Sequence, residues 1–492
     1  MKNFTVIIII LALLTSCEKW LDVNEDPNNP NNAPIDLILP AAQASIAVRL
    51  GGSLFNTAGF FAQYWSQAPE ANQYNDLETY DLRTDFLDDD YSELFAGALK
   101  DLEHIRKECI KTRNFGNYLV ATTLRVYTFQ VLIDMIDKIP YFQALKGEEV
   151  LQPSWDDGEV VYQELIKELD DALSKINDTS YVFNSDMILN GELNEWIGFA
   201  NALKLKLLMR QSFKNDVKDK IMQLIQENNF MTMDVAFMGF EDAVGKRNPW
   251  YETTKRLNTD ANHVATITII SFLKVNNDPR LYHRFAPAKN SGQYEGIYPA
   301  LKQIQYGLKT GYYSRPTIKS TQPVYLFTLA ELNLFKAEAY LRFENNKLKA
   351  KEAYEEAINT GLALYNIDPS SVDLYSNATK PYYFDINKTN DELFKQIMMQ
   401  KWVALCMINN FEAWCELRRT KIPEYFGNLK DYGNGSSYIP GMYLNPAKNM
   451  LSEGVYYPYR LPYPNIAVSC NKNTPKLDGK QSFENKIWWD VK

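Results

Sequence analysis

Residues 119–137, LVATTLRVYTFQVLIDMID, form a 19-residue run with apolar side chains at helical spacing and no glycine or proline. The run is too long for a strand. It is closed by Lys138-Ile139-Pro140-Tyr141, where proline removes an N–H and drives the residue before it out of the helical region. Upstream, beyond a turn at Asn114 and Gly116, Asp88-Asp89-Asp90 opens another helix. Its Leu94, Ala98, Leu102 and Ile105 recur at spacings of four, four and three. Two antiparallel helices across a short turn make an αα-hairpin, and that unit sets the fold class.

The same pattern recurs on either side. Asp36 begins a helical segment with an apolar stretch at Leu37 to Leu50 and a second at Leu54 to Trp65. Glu159 to Ile176, with Val160, Val161, Leu165, Leu169 and Leu173, pairs with Leu193 to Met209. Gln322 to Phe343 pairs with Leu348 to Leu364, and Asp391 to Arg419 reads as one last long helix. Four hairpin-like units without a strict period predict a mainly all-α, repeat-like scaffold. The three acids at 88–90 read as a cap and dipole complement to their helix; a calcium cage would need ligands from more than one turn.

Irregular segments interrupt the helices. Gln67 to Thr84 is a polar loop carrying Tyr74 and Tyr80. The region of about 230–322 holds Asn248-Pro249-Trp250-Tyr251, Tyr298 and Thr310-Gly311-Tyr312-Tyr313; about 423–475 is rich in Gly, Asn, Tyr and Pro. Tyrosine is the most abundant aromatic, 31 against 25 Phe and 9 Trp. An exposed tyrosine offers a flat apolar face and one hydroxyl at little entropic cost, which suits sugars and peptides. Loop rings are therefore the ligand-binding candidates: Tyr74, Tyr80, Trp250, Tyr251, Tyr298, Tyr312 and Tyr313.

The N-terminus sets the compartment. Lys2 precedes nine unbroken apolar residues, Val6 to Leu14, too few to span a bilayer, which needs about 20. Leu14-Thr15-Ser16-Cys17 then places two small residues before a cysteine, resembling the lipobox of bacterial lipoproteins, in which that cysteine is acylated. Residues 1–16 are read as a signal peptide. Residues 17–34, rich in Asn, Asp and Pro, are a lipidated flexible tether reaching roughly 20–25 Å as a coil. Residues 35–492 are one body, since no Gly/Ser or Pro linker divides them.

Composition narrows the chemistry. The net charge of −9, with no basic run, argues against a nucleic-acid partner. With no CxxC motif and only His104, His263 and His283, no metal site or cofactor is expected, and each His reads as a packed or surface residue. If Cys406 and Cys415 share one helix they lie about 13.5 Å apart on opposite faces, beyond the roughly 7 Å a disulfide allows, so buried free thiols are expected. There is no Gly-x-Ser-x-Gly elbow, His-rich zinc motif or phosphate-binding glycine loop. Sixty-one acids always contain some carboxylate pair, so that pattern alone carries no signal for a glycosidase.

Eight segments in this order resemble the SusD/RagB family of outer-membrane nutrient-binding lipoproteins, and its SusD-like branch in particular. They are CEKWLDVNEDPNNP (17–30), LRVYTFQVLIDMIDKIPY (124–141), EWIGFANALKLKLLMR (195–210), NDPRL (277–281), AELNLFKAEAYLR (330–342), QKWVALCMINNFEAWCELRRTKIP (400–423), RLPYP (460–464) and IWWD (487–490). The resemblance implies a tetratricopeptide-like helical scaffold. It also implies a lipoprotein with no catalytic residues that captures a glycan or oligopeptide and acts as a lid on a TonB-dependent, SusC-type outer-membrane transporter. Glu18 and Asp22 resemble the acidic signal that sends such lipoproteins to the cell surface. The alternatives are a surface glycoside hydrolase and a helical protein-interaction scaffold. The motifs also read as scaffold in their own right: Asn409, Glu412, Glu416 and Arg419 form a polar stripe with Phe411, Trp414 and Leu417 beside it, Trp196 is a core ring, and Arg210 is a cation at a helix end.

Overall fold

The computed structural model describes residues 33–256, 262–428, 438–476 and 481–492. The signal segment, Cys17 and the tether up to residue 32 lie outside the described residues. The fold is mainly α-helical, and among the described residues the strands are two to four residues long, joined in four two-stranded pairs. Helices Ile35–Leu50 and Ser53–Phe61 open it. Asp88–Ser92, a π-helical turn at Glu93–Leu99 and Lys100–Thr112 run on as one arm of the first hairpin, with Phe115–Ile136 as the other. Leu94, Ala98, Leu102 and Ile105 are all buried, as their spacing predicts. The acids at 88–90 occupy the first turn but do not cap it: Asp88 accepts the Ile466 N–H (3.1 Å), and Asp90 is buried against Ser53.

Helix Phe115–Ile136 is long and apolar enough to cross a membrane, yet its apolar window is wholly enclosed, so it is the central core helix. Gly158–Ser174 with Leu193–Gln211, and Leu329–Ala339 with Lys347–Ala363, form the next hairpins. The last long helix is two helices, Asn390–Leu405 and Asn410–Thr420. The break has a local cause. Met407 is left-handed (φ 58°), its N–H is taken by Asn410 Oδ1 (2.8 Å), and Asn409 caps the second helix by accepting the Glu412 N–H (3.1 Å). Cys406 and Cys415 therefore sit on different elements. Both are buried and free, as is Cys109, but Cys470 is exposed.

The residues of the polar stripe read as scaffold, together with the helix-end cation Arg210, lie in the buried core. Arg210 donates to Glu412 (2.7 and 2.6 Å) and Glu416 (2.5 Å) and lies 3.3 Å from Asp134. Arg419 forks onto Glu338 (2.7 and 2.6 Å) and Glu416 (2.9 and 2.6 Å). Lys206 reaches Glu331 at 2.7 Å and Lys401 reaches Glu416 at 3.0 Å. The later motifs tie into the same place: Arg418 donates to the Asp134 and Tyr459 carbonyls (2.7 and 2.9 Å), and Trp489 to Asp134 Oδ1 (2.8 Å). Asp278 and Arg280 form a buried pair at 2.6 Å joined by the Tyr382 hydroxyl at 2.7 Å. These motifs hold helices together.

Candidate ligand-binding groove

Two distant irregular segments meet where Trp65–Gln67 pairs antiparallel with His263–Ala265, opposing Trp65 to Ala265 and Gln67 to His263. The pairing brings the Tyr74 loop against the region of about 230–322. That region contains helices of its own, Pro249–Arg256, Ile267–Val275 and Arg280–Arg284. Asn248, expected in a loop, starts the first of them: its Oδ1 accepts the Trp250 and Tyr251 N–H groups (3.0 and 3.2 Å).

Trp250 stacks on Trp65 with centroids 4.8 Å apart and planes 13° from parallel. Trp65 lies flat because residue 59 is glycine: a Cβ there would fall 2.0 Å from the indole. Asn56 fixes the group. Its carbonyl accepts from Trp65 Nε1 (3.2 Å), and its Oδ1 accepts from Trp250 Nε1 (3.2 Å) and faces His263 Nε2 at 2.7 Å. Tryptophan can only donate, so the Asn56 atom is oxygen and His263 carries its proton on Nε2. Nδ1 is then a lone pair, buried and without a hydrogen bond. Burial pulls the His263 pKa down to about 3, so the ring stays neutral.

Around this cluster lie two concavities. The first, of about 450 Å³, is chiefly apolar and contains the half-buried rings of Tyr74 and Phe86, with Gln73, Asp76 and the Arg83–Asp85 ion pair at its mouth. The second, of about 230 Å³, includes Tyr251, Asn262, His263 and Arg315. Trp250 belongs to both. Nearby Glu78 is pushed up by burial, but its carboxylate is engaged by Ser66 Oγ (2.6 Å), the Gln67 N–H (2.9 Å) and Gln303 Nε2 (2.8 Å). Among the described residues no group of three or more His, Cys, Asp or Glu could hold a metal ion.

The seven candidate rings divide. Tyr74, Trp250 and Tyr251 meet at these concavities. Trp250 is only 2% exposed and its face is taken by Trp65, so it is a partition and no free stacking platform. Tyr80 and Tyr298 are core rings. Tyr80 contacts the Tyr443 hydroxyl (2.9 Å) and packs edge-on against Phe61, and Tyr298 donates to the Asn445 carbonyl (2.9 Å). Tyr313 is half-buried against Val264 and Ile297, and Tyr312 is 57% exposed, lining neither concavity. Phe86, Asn56 and His263 escape a search for loop rings. Phe86 stands two residues before the predicted helix start at Asp88, beside the Tyr74 loop; the other two are placed by contacts some 200 residues apart.

This helical scaffold with a loop-built groove is the SusD-like fold. Residues 27–446 match the SusD-like family described as starch-binding and associating with the outer membrane, and the chain belongs to that family. Solved structures agree over nearly the whole length. A SusD homologue from Bacteroides uniformis is 21% identical, covering 92% of this chain and 99% of its own, with a TM-score of 0.71. An outer-membrane protein from Bacteroides vulgatus, described as involved in nutrient binding, is 22% identical over 93% and 100%, TM-score 0.72. A chitin-binding SusD homologue from Flavobacterium johnsoniae is 18% identical over 93% and 97%, TM-score 0.71. No curated protein matches by sequence.

Proposed function

We propose that this protein is a cell-surface binding lipoprotein, not an enzyme, that captures an oligosaccharide in the groove beside Trp250. It then passes the sugar, as a lid, to a partner SusC-type TonB-dependent transporter in the outer membrane. The observation that carries the reading is the first concavity: half-buried Tyr74 and Phe86 supply apolar faces for pyranose rings, and polar groups stand at the mouth where hydroxyls would project. The family description and the chitin-binding relative favour a glycan over a peptide as the ligand. The anchor is Cys17, and the tether gives the lid its reach.

Isothermal titration of the mature protein with maltoheptaose, chitohexaose and a mixed oligopeptide pool tests the capture step. Saturable binding of a glycan without cleavage products is the expected result. Binding confined to peptides, or turnover of the sugar, overturns it. A Cys17→Ala protein is expected to bind as the wild type does while failing to support uptake, and co-purification from detergent is expected to bring down a large barrel protein.

A further inference from the structure

A third concavity, of about 360 Å³, adjoins the second at Thr317 and Ile318 and holds the half-buried rings of Tyr325 and Tyr365. In a chain of net charge −9 it is lined by His283 and Lys319 and by no carboxylate. Asp234, whose charge reaches Tyr325, does not line it and accepts the Leu329 N–H (2.8 Å). We infer that this concavity is a site for a small carboxylate anion, held through the Tyr365 hydroxyl and the Arg284 guanidinium bonded to it, and separate from the sugar groove beside Trp250.

Arg284 carries most of the argument. It is 1% exposed, and among the described residues no carboxylate lies within ion-pairing distance of it. Its neighbour Arg280 is just as buried but forks onto Asp278 (2.9 and 2.6 Å), which the Tyr382 hydroxyl also engages. One carboxylate thus stands beside two buried guanidiniums and is taken by the first. A buried charge without a partner is costly, so something must answer Arg284. The end of helix Asn390–Leu405 answers in part: Arg284 Nη2 meets the Ala404 carbonyl at 3.5 Å, a long contact with a helix end that carries roughly half a negative charge. Cys406 does not supply the rest, because burial pushes its thiol up to about 12 and it stays neutral. Nη1 of Arg284 is buried and makes no hydrogen bond.

The second observation is a donor left over. Arg284 Nε donates to the Tyr365 hydroxyl at 2.6 Å, which uses that oxygen as an acceptor. The hydroxyl's own proton finds no acceptor among the described residues. Burial raises the Tyr365 pKa, so the proton stays in place at neutral pH. A phenol bonded to a guanidinium is a strengthened donor. A carboxylate, which only accepts, satisfies that proton and brings the missing negative charge towards Arg284; a neutral sugar hydroxyl does only the first.

The test is isothermal titration of the full mature protein with sodium acetate, sodium glucuronate and glucose at constant ionic strength. Saturable binding of glucuronate, with or without acetate, and tighter than that of glucose, is the expected result. Acetate binding as well assigns the site to free small acids, and glucuronate alone assigns it to acidic sugars. Tyr365→Phe removes the hydroxyl and is expected to weaken acid binding at least about tenfold, the size of a hydrogen bond to a charged group. Should that variant not fold, Thr321→Trp, which adds bulk at the exposed rim, is expected to block the acid. Failure of both acids to bind, glucose binding as tightly as glucuronate, or acid affinity unchanged in a folded variant overturns the inference. None of these outcomes touches the capture of neutral oligosaccharides beside Trp250.

Discussion

The buried junction of ion pairs and the groove beside Trp250 place polar side chains under opposite rules. In the junction every charge answers another inside the protein: Arg210, Arg419, Lys206 and Lys401 face Glu331, Glu338, Glu412, Glu416 and Asp134, almost fully removed from water. Nothing there is left for a ligand. In the groove the charges stand at the mouth, and the interior offers rings, amides and one neutral imidazole. The densest cluster of titratable groups is thus structural, and the proposed binding face is marked by half-buried rings in concavities. Neutral polar groups and apolar faces are what an uncharged sugar requires.

The hardest test of this division is Arg210→Met. It strands the carboxylates of Glu412 and Glu416, and removing one member of a buried set costs about 3–5 kcal/mol. Chemical denaturation is expected to show a loss of that size or failure to fold. A loss under 1 kcal/mol would mean that the junction does not hold the helices together.

The groove wall gives the second test, through pH. His263 has its folded pKa depressed to about 3 against an unfolded value near 6.5, so its contribution to stability is fully present above about pH 6.5. As pH falls the unfolded state gains a proton that the folded state refuses, at a cost of about 2 kcal/mol by pH 5. His263→Gln is expected to flatten that slope in melting curves taken between pH 7 and 5. An unchanged slope would show that the imidazole titrates normally, and the Asn56–Trp250–His263 arrangement would need revision.

Third is the ring itself. Tyr74→Ala removes a half-buried face from the first concavity and is expected to weaken glycan binding about tenfold, or about 1.4 kcal/mol, with the melting temperature little changed. Binding that survives intact would move the site away from Trp250.

How much of this could be read from the sequence follows the range of the interactions. Helical periodicity is local, and Leu94, Ala98, Leu102 and Ile105 announce their buried face unaided. The break at 406–409 was also local, since Asn409-Asn410 is an N-cap signal, but the apolar run across it masks the cap. Arg210 reads as a helix-end cation because the carboxylates that bury it lie some 200 residues further on. Likewise Tyr80 and Tyr298 look like loop rings until the fold closes over them. His263 and Asn56 acquire a role only when Gln67 pairs with His263 across the chain.

Tyr312 gives the smallest expected effect and the sharpest discrimination between exposure and function. It is 57% exposed, belongs to a short turn at Thr310–Tyr312 and lines neither concavity. Exposed aromatic rings attract attention as stacking platforms, yet a largely exposed ring excludes less water from a sugar's flank than a half-buried one in a cleft. Tyr312→Ala is therefore expected to change stability by less than about 0.5 kcal/mol and to leave the glycan affinity within about twofold of the wild type. If titration instead shows a loss as large as that of Tyr74→Ala, the ligand runs over the 310–313 turn. Half-burial in the concavities would then be the wrong criterion for choosing among the loop rings.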